Sequence, residues 1–254
     1  MKIKRIFRFL LILLSSILLL LAVNFIPLIS NKTPGMHEYV VQGITIYAMP
    51  QDQNGAESIA ARIAASRVRV VQALESNASD DIGVIVYPSQ AALKRKTLGF
   101  AGMLLLPDWF IGRNTRQNVL ITSPAAPGPQ HSSESVIQAA VHEYVHVLTD
   151  RQNKKLGYWI KEGIALYLAQ QTPSLEAIRG ASDLTYTEYA APNAIQFANV
   201  GGYTLAYTLI EYLDATYGWS QVIALIVPEA TTTSVLGKSD HALFDEWMAH
   251  VRTL

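Results

Sequence analysis

The sequence predicts an α+β domain behind an N-terminal membrane-spanning helix, with a mixed α/β part that carries a sheet, a mainly helical part after it, and a cleft between the two. Three observations predict this. A long apolar run preceded by cations occupies the N-terminus, the β-forming segments all fall before residue 131, and the apolar positions from residue 132 onward recur at helical spacing. Strands followed by helices is the order of folds that segregate their helices to one side or end of a sheet. The organisation that follows is a cytoplasmic tip and anchor over 1–30, an α/β subdomain over 31–131 and a helical subdomain over 132–254.

Lys2, Lys4, Arg5 and Arg8 precede an apolar run from Phe9 to Val23, continued past Asn24 by Phe25, Ile26, Leu28 and Ile29. About twenty such residues cross a bilayer core of roughly 30 Å. With the cations on one side only, the N-terminus is expected in the cytoplasm and the rest of the chain outside. The competing reading is a cleaved signal peptide, which would make the protein secreted. Its apolar core is usually shorter and ends in small residues, and Leu28-Ile29-Ser30-Asn31 offers a poor cleavage site.

Residues 31–36, with Pro34 and Gly35, read as a linker. A strand is expected over 39–48, where Val40, Val41, Ile44, Ile46 and Tyr47 are β-formers, and a long helix over 56–75, where Ile59, Ile63, Val70, Val71 and Leu74 share a face. A strand over 81–87, a short helix over 90–97 and a strand over 118–122 follow, the last expected to be the cleft edge that pairs with an extended peptide. Helices are then expected over 133–152, 158–171, 202–217, 220–227 and 242–251. The stretch 172–201 is too long for a simple connection and is expected to form a lid or a substrate-facing wall.

Composition narrows the function. Twenty basic and twenty acidic residues cancel and no basic stripe interleaves with aromatics, so nucleic acid is not an expected partner. The absence of cysteine excludes a disulfide framework, a thiolate metal site and a cysteine nucleophile, so any metal must be held by nitrogen and oxygen.

The run His142-Glu143-Tyr144-Val145-His146 carries the chemistry. Its helix is expected to start with Ser132 or Ser133 as N-cap and to bury Ile137, Val141, Val145 and Leu148, which leaves residues 142 and 146 one turn apart on an adjoining face. Two imidazoles at that spacing reach one Zn2+, and a catalytic zinc takes three protein ligands and keeps a fourth position for water or substrate. Glu143 lies where it can take a proton from that water. A structural zinc site is the alternative, but such sites fill all four positions and often use thiolates.

A third ligand is expected from the next helix. In Trp159-Ile160-Lys161-Glu162-Gly163-Ile164-Ala165, Glu162 sits among apolar residues where an unpaired carboxylate is costly, and Gly163 would let this helix approach the histidine-bearing one. The other reading of Glu162 is a solvated helix charge beside Lys161. Asp150, one turn beyond His146, either orients that ring or is a plain helix-end charge. His37, His131, His241 and His250 lack partners at ligand spacing.

Over residues 142–169 the chain resembles the gluzincin group of zinc metallopeptidases, and the run Trp159 to Ala165 looks like the tryptophan, glutamate, glycine and alanine pattern of peptidase-MA-like domains. A second stretch, Tyr203-Thr204-Leu205-Ala206-Tyr207-Thr208-Leu209-Ile210-Glu211-Tyr212-Leu213, is similar to the helix of aminopeptidase-N-like enzymes whose first tyrosine stabilises the oxyanion. The resemblance implies a zincin-like fold, a peptide or protein substrate, metal ligands His142, His146 and Glu162, the base Glu143 and the oxyanion donor Tyr203. Tyr207 is the substitute donor, and a purely structural aromatic face is the other reading of both tyrosines. The interval from His146 to Glu162 is about three residues shorter than in aminopeptidase-N-like enzymes. No Gly-x-Met-Glu-Asn segment is present, so aminopeptidase activity is not implied. The reading from a different class is an anchored binding or scaffolding domain that keeps the fold without the catalysis.

Overall fold

Strands β1 (His37–Val41), β2 (Ile44–Ala48), β3 (Gly83–Tyr87), β4 (Gly112–Asn114) and β5 (Asn118–Thr122) form one mixed sheet in the order β1-β2-β3-β5-β4. The computed structural model describes residues 2–76, 81–190 and 193–254. The single strand expected over 39–48 is a hairpin: Gln42 and Gly43 both take positive φ, 49° and 78°, the geometry of a two-residue turn that matches strand twist. β2, β3 and β5 run parallel, and β1 and β4 are antiparallel edges. β5 therefore has neighbours on both sides and is not the cleft edge. The edge strand on that side of the sheet is β4.

The central strand β3 is buried along its whole length because both faces of the sheet are covered. On one face Ile46, Val84, Val86, Val119 and Ile121 pack under α2 (Gln53–Ala73) and the later α5 (Ser133–Gln152). On the other, Ile85, Tyr87 and Leu120 meet Leu93 of α3 (Gln90–Leu98), which leads into the short α4 (Gly102–Leu105). Ahead of the sheet, α1 (Lys2–Phe25) has an exposed apolar surface. With the 3-10 turn that follows, it is long and apolar enough to cross a membrane.

The second half is helical among its described residues. After α5 come α6 (Tyr158–Leu168), α7 (Leu175–Gly180), α8 (Tyr186–Ala190), α9 (Ala194–Asn199), α10 (Gly202–Tyr217), α11 (Trp219–Ala224), α12 (Thr232–Leu236) and α13 (Asp240–Val251). The expected irregular stretch 172–201 holds the three helices α7, α8 and α9, with residues 191 and 192 outside the described residues. It is packed: Tyr189 accepts a hydrogen bond from the Trp159 indole at 2.9 Å, and buried Phe197 stands edge-on to Trp159.

One buried apolar cluster runs from β2 and α2 through α5 and α6 to α10 and α13. Gly163 is the pivot of its second half. A Cβ there would lie 2.5 Å from the Ala206 carbonyl oxygen and 2.7 Å from Ile210 Cγ1, so the close approach that Gly163 permits is to α10 and not to the histidine-bearing α5.

Candidate metal centre

Ser132 caps α5 by a reciprocal pair of bonds: its hydroxyl accepts from the Ser135 amide at 3.1 Å, and the Ser135 hydroxyl accepts from the Ser132 amide at 2.9 Å. Every residue from Ala140 to Thr149 is buried, so the middle of the helix is enclosed by the sheet on one side and α6 on the other. His142 and His146 leave it one turn apart with ring centroids 4.5 Å apart.

Glu162 comes from α6 to meet them. Its Oε2 lies 3.2 Å from His142 Nε2 and 3.3 Å from His146 Nε2, and ligand atoms of the three residues all lie within 4.8 Å of one another. An ion held tetrahedrally by bonds of about 2.1 Å sets its ligand atoms about 3.4 Å apart, so these separations suit a first-row divalent ion. One further atom fits the same reading. Glu143 Oε2 is buried without a hydrogen-bond partner among the described residues, a costly arrangement for a carboxylate unless its proper partner is an ion or substrate group.

The two carboxylates are driven apart electrostatically. Burial opposes ionisation of Glu162, but the charge of His146 and the bonds from both rings overcome it and hold this carboxyl well below the usual range. Glu143 is raised, because burial outweighs the attraction of His146 and His142. His142 is raised too: burial opposes its cationic form, and the hydrogen bond and charge of Glu162, helped by Glu143 and Gln171, more than offset that. One carboxyl held ionised beside another with a strengthened hold on protons is the kind of pairing from which separate acid–base roles can be built.

Three further segments border the cluster. Gln171, just past α6, sets its Oε1 2.9 Å from His142 Nδ1 and so fixes that ring. A lone glutamine at the end of the helix expected over 158–171, which in the structure stops at Leu168, gives no signal of this in the sequence. Tyr203 opens α10 with its ring 5.1 Å from that of Phe197 and 6.1 Å from that of Trp109. Burial, followed by the charges of Glu162 and Glu143, pushes its phenol up. The Tyr207 hydroxyl accepts from Thr172 at 3.0 Å, and its ring lies 5.5 Å from that of Tyr167. Gly112 of β4 touches Glu143: a Cβ there would stand 3.0 Å from its Cγ and Oε1. The ladder bonds at Ile111 and Thr115 alternate along the strand, which turns the backbone groups of Gly112 and Asn114 away from β5 toward the open edge.

Asp150 does not orient His146. It accepts hydrogen bonds from Lys161 and from Asn114, both at 2.7 Å, and thereby ties α5 to α6 and β4. His131 lies 3.0 Å from the Trp109 carbonyl oxygen, His241 pairs with Asp245, and His37 and His250 stand beside tyrosine rings, all outside the cluster. No protein-family model matches this chain, and no curated protein matches it either.

Proposed function

We propose that the protein is a membrane-anchored, extracytoplasmic zinc metallopeptidase of the gluzincin kind, with a zincin-like catalytic fold that hydrolyses peptide bonds in polypeptide substrates. The observation that carries this reading is the convergence of His142, His146 and Glu162 on one point beside the unpartnered carboxylate oxygen of Glu143. Zinc is the proposed ion because two imidazoles, one carboxylate and no thiolate form a donor set typical of its hydrolytic sites.

When bound, the ion supplies Lewis-acid polarisation of the scissile carbonyl and lowers the pKa of the attacking water. Glu143 takes that water's proton and passes it to the leaving amine, a task suited to a carboxylate whose affinity for protons is raised by burial. Tyr203, kept protonated by its raised pKa, donates to the developing oxyanion. The outward backbone groups of Gly112 and Asn114 hold an extended peptide as an added strand beside Glu143. The apolar α1 crosses the membrane with its four basic residues on the cytoplasmic side.

The test uses the full-length protein against a diverse peptide mixture, with and without chelator. Glu143→Gln is expected to keep stoichiometric metal by elemental analysis and to lose turnover by about 10²–10⁴-fold. His142→Ala and His146→Ala are expected to lose the metal itself. Cleavage by Glu143→Gln at the wild-type rate would overturn the mechanism. A metal-replete wild-type protein that cleaves nothing would favour a non-catalytic binding domain instead.

A further inference from the structure

The segment between α3 and β4 is apolar and outward-facing. Leu104 and Leu105 of α4 are 89% and 69% exposed, and Leu98, Phe100, Met103 and Trp109 are exposed around them. No core claims these side chains, yet the segment is firmly built. A Cβ at Gly102 would lie 2.2 Å from the Lys94 carbonyl oxygen, so α4 sits tightly on α3, and Lys94 closes the far side through Asp108 at 3.0 Å.

Its inner side is fastened to α1. Asn24 is a polar residue inside the apolar span of Lys4–Leu28, where an unsatisfied amide is expensive in a hydrocarbon layer. The segment satisfies it at both ends: Asn24 Oδ1 accepts from the Ala101 amide at 2.8 Å, and Nδ2 donates to the Leu98 carbonyl at 3.4 Å. Gly99, at φ +70°, would carry a Cβ 2.1 Å from the Asn24 carbonyl oxygen, so this approach needs glycine.

We propose that residues 98–109 form a second membrane-contacting element, with Leu104 and Leu105 in the outer acyl layer of the bilayer that α1 crosses. The inference rests on the anchor reading given above. The occupant is lipid because the docking level is set by the span itself. Asn24 comes four residues before Leu28, the end of the span, which places the contact about 6 Å inside the apolar boundary at 1.5 Å per residue. A polar belt lies at the expected height. Lys96 donates to the carbonyls of Ser30 and Lys32 at 2.7 and 3.1 Å, just past the end of the span, and Trp109 has the amphipathic ring that settles at headgroup level. Three residues after Trp109 the chain enters β4, and the Trp109 ring also packs on Tyr203. The element therefore fixes the open edge of β4 at the bilayer surface, where the stretches of polypeptide that reach it are those held at that surface.

The chain contains no cysteine, so one introduced thiol carries a unique label. Leu104→Cys, Leu105→Cys, Leu14→Cys in the span and Val68→Cys on exposed α2 are each labelled with an environment-sensitive fluorophore in the full chain. Each is reconstituted into phosphatidylcholine–phosphatidylglycerol vesicles containing acyl-chain nitroxide lipids. Labels at Leu14, Leu104 and Leu105 are expected to lose about half or more of their emission, as groups at or below the headgroup–acyl boundary do, and the label at Val68 to keep its emission. Quenching at Leu14 with none at Leu104 and Leu105 overturns the inference and leaves the anchor intact. No quenching at Leu14 overturns the anchor reading and this inference with it.

Discussion

Glu143 stands between two elements built in opposite ways. α5 is enclosed over ten consecutive residues, capped by a reciprocal serine pair, and delivers three reactive side chains. β4 is three residues long, half-exposed, bonded on one side only, and at the point of contact delivers no side chain at all. The groups that need fixed geometry belong to the element least able to move, and the backbone that a substrate would reach belongs to the one most open to solvent. The contribution of β4 is therefore space and an unpaired edge. Gly112→Val breaks that half of the pairing. The new side chain begins 2.8 Å from Ile121 Cδ1 and 3.0 Å from the Glu143 carboxylate, so either Glu143 or the strand must shift. We expect kcat/KM to fall about 10²-fold, the scale for a misplacement near 1 Å, with metal content unchanged. A variant that cleaves peptides as the wild type does would separate β4 from the chemistry.

The same contrast recurs inside the cluster. The far nitrogen of the His142 ring is held by Gln171, whereas that of His146 has no partner among the described residues. The first ring is therefore preorganised by the segment after α6, and the second by helix packing alone. Gln171→Ala is expected to weaken metal affinity by about 10–100-fold, the usual cost of removing such a support, as measured by chelator competition at fixed pH. Affinity should also decline as the pH falls through the raised pKa of His142, since the ring must be neutral to bind metal. Equal affinities in wild type and Gln171→Ala would show that Gln171 is incidental.

What could be read from the residues follows the same division. α5 was legible because its caps, its buried stripe and its ligand spacing are all local, and α2 and α10 because sixteen or more residues carry the period. β4 was not, since Gly112, Arg113 and Asn114 are not β-formers and are a strand only through pairing with β5. The hairpin was hidden because Gln42 occupies a position that Asn or Gly usually takes. Helices α7, α8 and α9, five or six residues each, are shorter than any window in which periodicity shows. The neighbour of Gly163 and the partners of Asp150 were misjudged for one reason: spacing says that a close approach or a charge needs a counterpart, but only the tertiary fold says which. Glu162 was found because its apolar surroundings made a counterpart necessary, and α5 was the nearest supply of imidazole.

The smallest expected effect tests how the two elements are joined. Asn114 donates to Asp150 at 2.7 Å, the side-chain tie between β4 and α5, while Asp150 keeps its ion pair with Lys161 whether or not Asn114 is present. Asn114→Ala therefore leaves no charge stranded, and its cost in stability should be about 2 kcal/mol, that of one hydrogen bond to a charged group. The ladder bond from the Thr115 amide to Asn118 stays in place, so the strand remains paired with β5. What loosens is the height of the edge above Glu143. The expected signature is a KM raised several-fold for long peptides with kcat nearly constant, because an edge that positions substrate acts on binding before chemistry. A loss confined to kcat would instead mean that the tie acts through the position of α5, and that β4 contributes nothing to holding substrate.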